Sequence, residues 1–213
     1  MDIIHPAIQQ YAEAHSNVPF PILNEIEQFT KLSHPKQHML SGHLQGNFLY
    51  MLSMMVRPMY VLEIGTFTGY SAVCLSGGLR AGGMVHSIES REEEVATAEG
   101  FIKKAGLETH IQIHLGEAKE VIPTLDFPWD IVFIDADKTG YIQYVDLVMG
   151  RLKPGGWIIA DNVFFHGGVI DEQNNTNNVK AIKDFNNYIL EMENVDKCML
   201  TLRDGLYIIR KKM

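Results

Sequence analysis

Five short apolar runs, each ending on a polar or glycine-bearing tip, constrain the fold of this chain more than any other feature. They are "MYVLEIG" (59–65), "MVHSIES" (84–90), "HIQIHLG" (110–116), "DIVFIDA" (130–136) and "GWIIADN" (156–162). Between them lie "YSAVCLSGGL", "EEEVATAEGFIKKAG", "AKEVIPTL" and "YIQYVDLVMGRLKPGG", which read as helices, with Gly106 and Lys153-Pro154-Gly155-Gly156 as stops. Strands alternating with helices imply right-handed crossovers and a parallel sheet covered on both faces. After Val163 the pattern changes to one amphipathic helix in "NNTNNVKAIKDFNNYILEM", then "KCMLTL" and "LYIIRKK" around Arg203-Asp204-Gly205. That short glycine-bearing connection predicts an antiparallel hairpin at the sheet's end.

A chain of 213 residues suits one domain with one sizeable core. Residues 1–40 read as two or three short helices broken at Pro6, Pro19, Pro21 and Pro35, a cap or arm ahead of the sheet. The net charge of −8 gives no broad attraction for a polyphosphate or an anionic membrane, so nucleic acid is disfavoured as a partner. No uncharged apolar run is long enough to span a bilayer, and the start lacks a basic segment followed by an apolar core. Cys74 and Cys198 sit in apolar stretches without metal-like spacing and are expected as core thiols of a cytoplasmic protein. Met51, Met54 and Met55 follow helical spacing and are likewise expected in the core, while His34 and His38, with Pro35 between them, do not read as a zinc site.

In an open parallel sheet ligands bind at the carboxyl ends of the strands, where strand order reverses. The first tip, Glu63-Ile64-Gly65-Thr66-Phe67-Thr68-Gly69, lets the backbone turn tightly against a ligand at Gly65 and Gly69. It is not G-x-G-x-x-G, and Glu63 would repel a pyrophosphate, which argues against a nicotinamide dinucleotide and for a cationic or amino-bearing ligand. Glu89, ending the second strand, is placed to accept hydrogen bonds from ribose hydroxyls. A ribose, no phosphate and a cation together describe S-adenosylmethionine.

Asp135 on the fourth tip and Asp161-Asn162 on the fifth bring two carboxylates and an amide oxygen to adjacent strands, a donor set suited to a hard divalent cation. Magnesium is the expected ion, with manganese or calcium as alternatives. Lys138 lies three residues past Asp135, and burial with a nearby metal would lower its pKa from about 10.4 toward that of a usable base.

Through "VLEIGTFTGYSA", "FIDADK" and "ADNV" together, the chain from about Met39 onward resembles the cation-dependent O-methyltransferases of the caffeoyl-coenzyme A and catechol type. The resemblance implies a Rossmann-like α/β fold of seven strands, the class I methyltransferase sheet, as a single domain over 1–213. By matching motifs it implies Asp135, Asp161 and Asn162 as metal ligands and Lys138 as catalytic base. It also implies Ser41, Glu63, Gly65, Thr66, Ser71, Glu89, Ala118, Asp135, Asp137 and Tyr144 as contacts of S-adenosylmethionine, and a homodimer. Phe165-His166 stand where plant members carry Trp-Asn, and no basic cluster awaits coenzyme A phosphates. The expected acceptor is therefore a small phenolic with vicinal hydroxyls; a hydroxylated base in transfer RNA is the alternative, and His166 a possible acceptor contact.

Overall fold

The structure, a computed structural model, describes residues 4–213. In chain order the elements are α1 (Pro6–Ala14), α2 (Ile22–Ser33), α3 (His43–Val56), β1 (Tyr60–Ile64), α4 (Tyr70–Ser76), β2 (Met84–Glu89), α5 (Glu92–Lys104) and β3 (Ile111–Leu115). They continue with α6 (Ala118–Val121), β4 (Trp129–Ile134), α7 (Tyr141–Met149), β5 (Leu152–Asp161), α8 (Asn177–Glu191), β6 (Val195–Leu200) and β7 (Leu206–Lys211). The strands form one sheet in the order β3-β2-β1-β4-β5-β7-β6. β1 to β5 pair in parallel, and β7 runs antiparallel to both β5 and β6. The expected α/β sheet with a C-terminal hairpin is thus present.

Strand alternation sends side chains to two cores. Leu62, Ile64, Val132, Ile134 and Ile158 meet Tyr141, Val145 and Val148 of α7 and Ile182 and Phe185 of α8. Val61, Val85, Ile131, Phe133 and Ile159 meet Leu23 and Ile26 of α2, Leu49 and Leu52 of α3, and Val73 of α4. Removing all of this apolar surface from water is the main force holding the layers together. β1 and β4 are the neighbours at which the strand order reverses, so the carboxyl-end crevice opens above Ile64 and Ile134.

Several local expectations need correction. The fourth crossover helix stops at Met149, because the Lys153-Pro154-Gly155-Gly156 stretch joins β5: Trp129 pairs with Leu152 and Ile131 with Trp157, and a register shift absorbs the extra residues. Met51, Met54 and Met55 are exposed rather than core. The buried stripe of α3 is Gln45, Gly46, Leu49, Leu52 and Ser53, where Gly46 lies against Tyr70 and Cys74; helical period alone does not say which of two stripes meets α4. Cys74 is buried, but Cys198, on the outermost strand β6, is exposed. Pro6 opens α1 at its first position, where the missing N–H costs nothing, rather than breaking a helix.

Candidate active site

Gly65 sets the geometry of the crevice. It leaves β1 at φ 100°, and a Cβ there would lie 2.0 Å from the Asp135 carbonyl oxygen. Only glycine leaves room there for the first and fourth strand tips to lie this close together. The turn then passes through Phe67, also at positive φ, and Gly69 before α4 begins at Tyr70. Beside it opens a cavity of about 320 Å³. Ser41, Gly65, Thr66, Ser71, Glu89, Ala118, Asp135, Asp137 and Tyr144 all line it. Sequence motifs from five segments thus surround one space.

Glu89 is buried, and its carboxylate is fixed by local donors: the amides of Phe67 (2.9 Å), Ser90 (3.0 Å) and Arg91 (3.1 Å), with the Arg91 guanidinium alongside. Glu63 takes a different place from the other cofactor candidates. It lies fully buried behind the cavity wall, where the Ser87 hydroxyl donates to its Oε2 and Oε1 has no partner. Burial pushes its pKa up to about 8, with the Ser71 and Ser87 hydroxyls acting the other way. Thr66 and Ser87 are in turn bonded at 2.5 Å, tying the first two strand tips together.

On the other side of the crevice, the Lys138 ammonium donates to Asp135 Oδ1 (3.0 Å), Asn162 Oδ1 (2.8 Å) and the Tyr141 hydroxyl (2.7 Å). Tyr141 Oη itself donates to the Asp161 carbonyl at 3.0 Å. Two of the three candidate metal oxygens therefore converge on one cationic nitrogen. Asp161 is placed differently: its Oδ2 accepts from Gln45 Nε2 (2.6 Å) and its Oδ1 from the Asn162 amide (2.7 Å). Burial and the Asp135 charge push Asp161 up to about 7, while Lys138, Arg203 and Gln45 act the other way. Among the described residues no three His, Cys, Asp or Glu side chains gather as a metal cage. The strand-tip set is two carboxylates and a carboxamide.

The expected depression of Lys138 rests on burial together with a bound cation, and its protein neighbours act the other way. Burial does pull its pKa down, but the Tyr141 hydroxyl, Asp135 and Asp161 outweigh burial and raise it above the ordinary lysine value. His34 has an acidic neighbour: its Nε2 lies 2.9 Å from Glu94 Oε1, and its ring packs edge-on against Phe67. His166 is exposed on a loop where Asn162, Phe165 and His166 all have positive φ, and its amide donates to Asp204. Tyr141, Gln45, Arg91 and Arg203 were not singled out in the sequence. Gln45 and Arg203 gave no signal there, because their partners lie more than 100 positions away.

The comparisons with known proteins bear on the same architecture. A probable caffeoyl-CoA O-methyltransferase 2 of Dictyostelium discoideum is 33% identical over 211 residues, covering 96% of this chain and 91% of that protein. A catechol O-methyltransferase of Niastella koreensis is 33% identical over 162 residues, covering 74% and 73%. Among solved structures, a SAH-bound methyltransferase of Podospora anserina superposes with TM-score 0.90 at 28% identity over 97% of this chain and 94% of that one. The Bacillus cereus O-methyltransferase in complex with SAH superposes with TM-score 0.85 at 29% identity, over 97% of each chain. The O-methyltransferase family model matches residues 13–212, nearly the whole described chain, and this protein belongs to that family.

Proposed function

We propose that this chain transfers a methyl group from S-adenosylmethionine to one hydroxyl of a small aromatic bearing vicinal hydroxyls, with a divalent cation, magnesium first, beside the acceptor. The observation that carries the reading is the meeting of Asp135 and Asn162 oxygens, from adjacent strand tips, around the single positive charge of Lys138, with Asp135 also lining the 320 Å³ cavity. Lys138 acts as a stand-in ion for the fit: the oxygens around it are hard donors directed at one cation. Asp135, Asp161 and Asn162 would hold the metal, which when bound makes a nearby hydroxyl easier to ionise.

The chain's own residues would divide the remaining work. Glu89 faces the cofactor's ribose with a carboxylate already oriented by three backbone amides. Gly65 lets the cofactor's backbone contacts form close to Asp135. Lys138 would take the acceptor's hydroxyl proton as the oxygen attacks the methyl carbon and the carbon–sulfur bond breaks, leaving S-adenosylhomocysteine. With Asp135 and Asn162 bound to it, Lys138 holds its proton; base action requires those oxygens to be engaged elsewhere, as a bound cation would engage them. Holding both reactants in line supplies much of the acceleration.

The free thiols Cys74 and Cys198 support a reducing, cytoplasmic setting, and exposed Met51, Met54 and Met55 support self-association as a homodimer. No helix among the described residues is long and apolar enough to cross a membrane. The test is a methyl-transfer screen over catechols, caffeoyl esters and undermodified transfer RNA, with and without EDTA. Catechol turnover is expected to vanish with chelator and return with magnesium. Chelator-insensitive turnover removes the cation from the mechanism, and turnover confined to transfer RNA replaces the phenolic acceptor.

A further inference from the structure

We propose that Gln45 and Arg203 form a positioning relay that holds Asp161 in the orientation needed to bind the cation; this rests on the reading of Asp161 as a cation ligand. Asp161 is only 1% exposed and Gln45 is completely buried, so neither side chain is oriented by water. A carboxamide can present either its NH2 or its oxygen to a neighbour. Here the choice is made by Arg203, whose guanidinium has only donors: its Nη1 donates to Gln45 Oε1 at 3.2 Å, and the Gln45 NH2 group is left to donate to Asp161 Oδ2 at 2.6 Å.

The same Arg203 Nη1 donates to the Ser41 carbonyl, at the rim of the cofactor cavity. Arg203 itself lies in the left-handed region, φ 50°, within the turn joining β6 to β7. That turn is carried to the site by the β5–β7 ladder, in which Asp161 itself pairs with Leu206. Three segments far apart in sequence therefore close one chain of donors, Arg203 to Gln45 to Asp161.

Interposing an amide has a chemical consequence. An arginine bonded directly to Asp161 would place a full positive charge on the carboxylate and compete with a divalent cation. The Gln45 NH2 group fixes one oxygen while leaving the net charge in place, and the Asn162 amide fixes the other. Each carboxylate oxygen keeps a second lone pair for a metal. Partners of this kind, bonded to a ligand rather than to the metal, set its direction and affinity.

The experiment is titration of Mn2+, followed by the electron paramagnetic resonance of the free ion, for the wild-type chain and for Gln45→Leu, Arg203→Met, Arg203→Lys and the Gln45→Leu/Arg203→Met double variant. Gln45→Leu is expected to weaken Mn2+ binding about tenfold or more, with S-adenosylmethionine affinity by calorimetry within about twofold of wild type. Arg203→Met is expected to weaken Mn2+ by a smaller factor and Arg203→Lys to restore part of it. The double variant should bind Mn2+ no worse than Gln45→Leu alone, since the arginine orients Asp161 through the amide. Equal Mn2+ affinity in wild type and Gln45→Leu, or additive losses in the double variant, overturns the relay. If Gln45→Leu does not fold, the two Arg203 variants decide: unchanged Mn2+ affinity in Arg203→Met overturns it. A wild-type chain that binds no Mn2+ sinks the cation reading instead, a result separate from every other.

Discussion

The two sides of the strand-tip edge, proposed for the cofactor and for the cation, hold their carboxylates by different means. On the cofactor side Glu89 is gripped mainly from its own neighbourhood, by the amides of Ser90 and Arg91, with Phe67, 22 positions upstream, as its one more distant donor. On the cation side Asp161 has one local donor, the Asn162 amide, and depends otherwise on Gln45, 116 positions away, which Arg203 aligns from the last turn of the sheet. The first arrangement exists almost as soon as β1 and β2 pair. The second requires α3, β5 and the hairpin all to be in place. On the proposed reading, a site assembled in this way would tie cation affinity to completion of the whole fold, while cofactor contacts would depend on a smaller part of it.

The largest expected effect breaks the comparison, because one position serves both sides. Gly65→Ala puts a methyl group 2.0 Å from the Asp135 carbonyl and forces alanine to φ 100°. Separating β1 from β4 at their tips is expected to cost at least about 3 kcal/mol of stability and to remove both S-adenosylmethionine and Mn2+ binding. Urea unfolding with calorimetry on the folded fraction checks this. A stable variant that keeps either ligand would show that the two sides do not share this contact.

Lys138→Met should separate the sides. Lys138 is absent from the cavity lining but contacts Asp135, Asn162 and Tyr141. Turnover is expected to fall by about 10² to 10⁴, the range for loss of a general base, with S-adenosylmethionine affinity within about threefold of wild type. Steady-state kinetics together with calorimetry distinguish the outcomes; a parallel collapse of cofactor affinity would make Lys138 part of the cofactor side.

The same contrast explains what could be read from the sequence. The strands, the helices between them and the tip residues Gly65, Glu89 and Asp135 follow from runs a few residues long, whereas Ser41, Thr66, Ser71, Ala118, Asp137 and Tyr144 were implied by the resemblance; all nine line one cavity. Glu63 was recognisable as a carboxylate at the tip, but the inward turn of its side chain toward Ser87 depends on the pairing of β1 with β2. On the cation side Asp135, Lys138, Asp161 and Asn162 were equally visible, yet Gln45 and Arg203 were not. A glutamine on an amphipathic helix and an arginine in a turn have no local pattern that announces a partner across the fold. The Met51, Met54 and Met55 stripe failed for a related reason: period gives a face, and only packing gives its direction.

The smallest predicted effect sharpens the comparison by loosening only the cofactor side. His86 of β2 is 3% exposed, its Nδ1 lies 3.0 Å from His114 Nε2 of β3, and its ring stacks on Phe127 with centroids 4.2 Å apart. One ring donates and the other accepts, so the bond is lost once both carry two protons. Burial first, then the His114 ring, lowers the His86 pKa from 6.5 to about 4, and burial lowers His114 as well. Because the folded value lies below the unfolded one, the neutral pair contributes fully above about pH 6.5 and is lost as pH falls toward 4. Between pH 7.5 and pH 5.0 the wild-type chain should lose on the order of 2 kcal/mol more stability than His86→Phe, measured by urea unfolding at each pH. Hydrogen exchange at pH 5.0 should show β2 and β3 amides losing protection before those of β5 and β7. Equal pH dependence in the two chains would remove the histidine pair as the cause, and simultaneous loss of protection would mean that the two sides open as one unit.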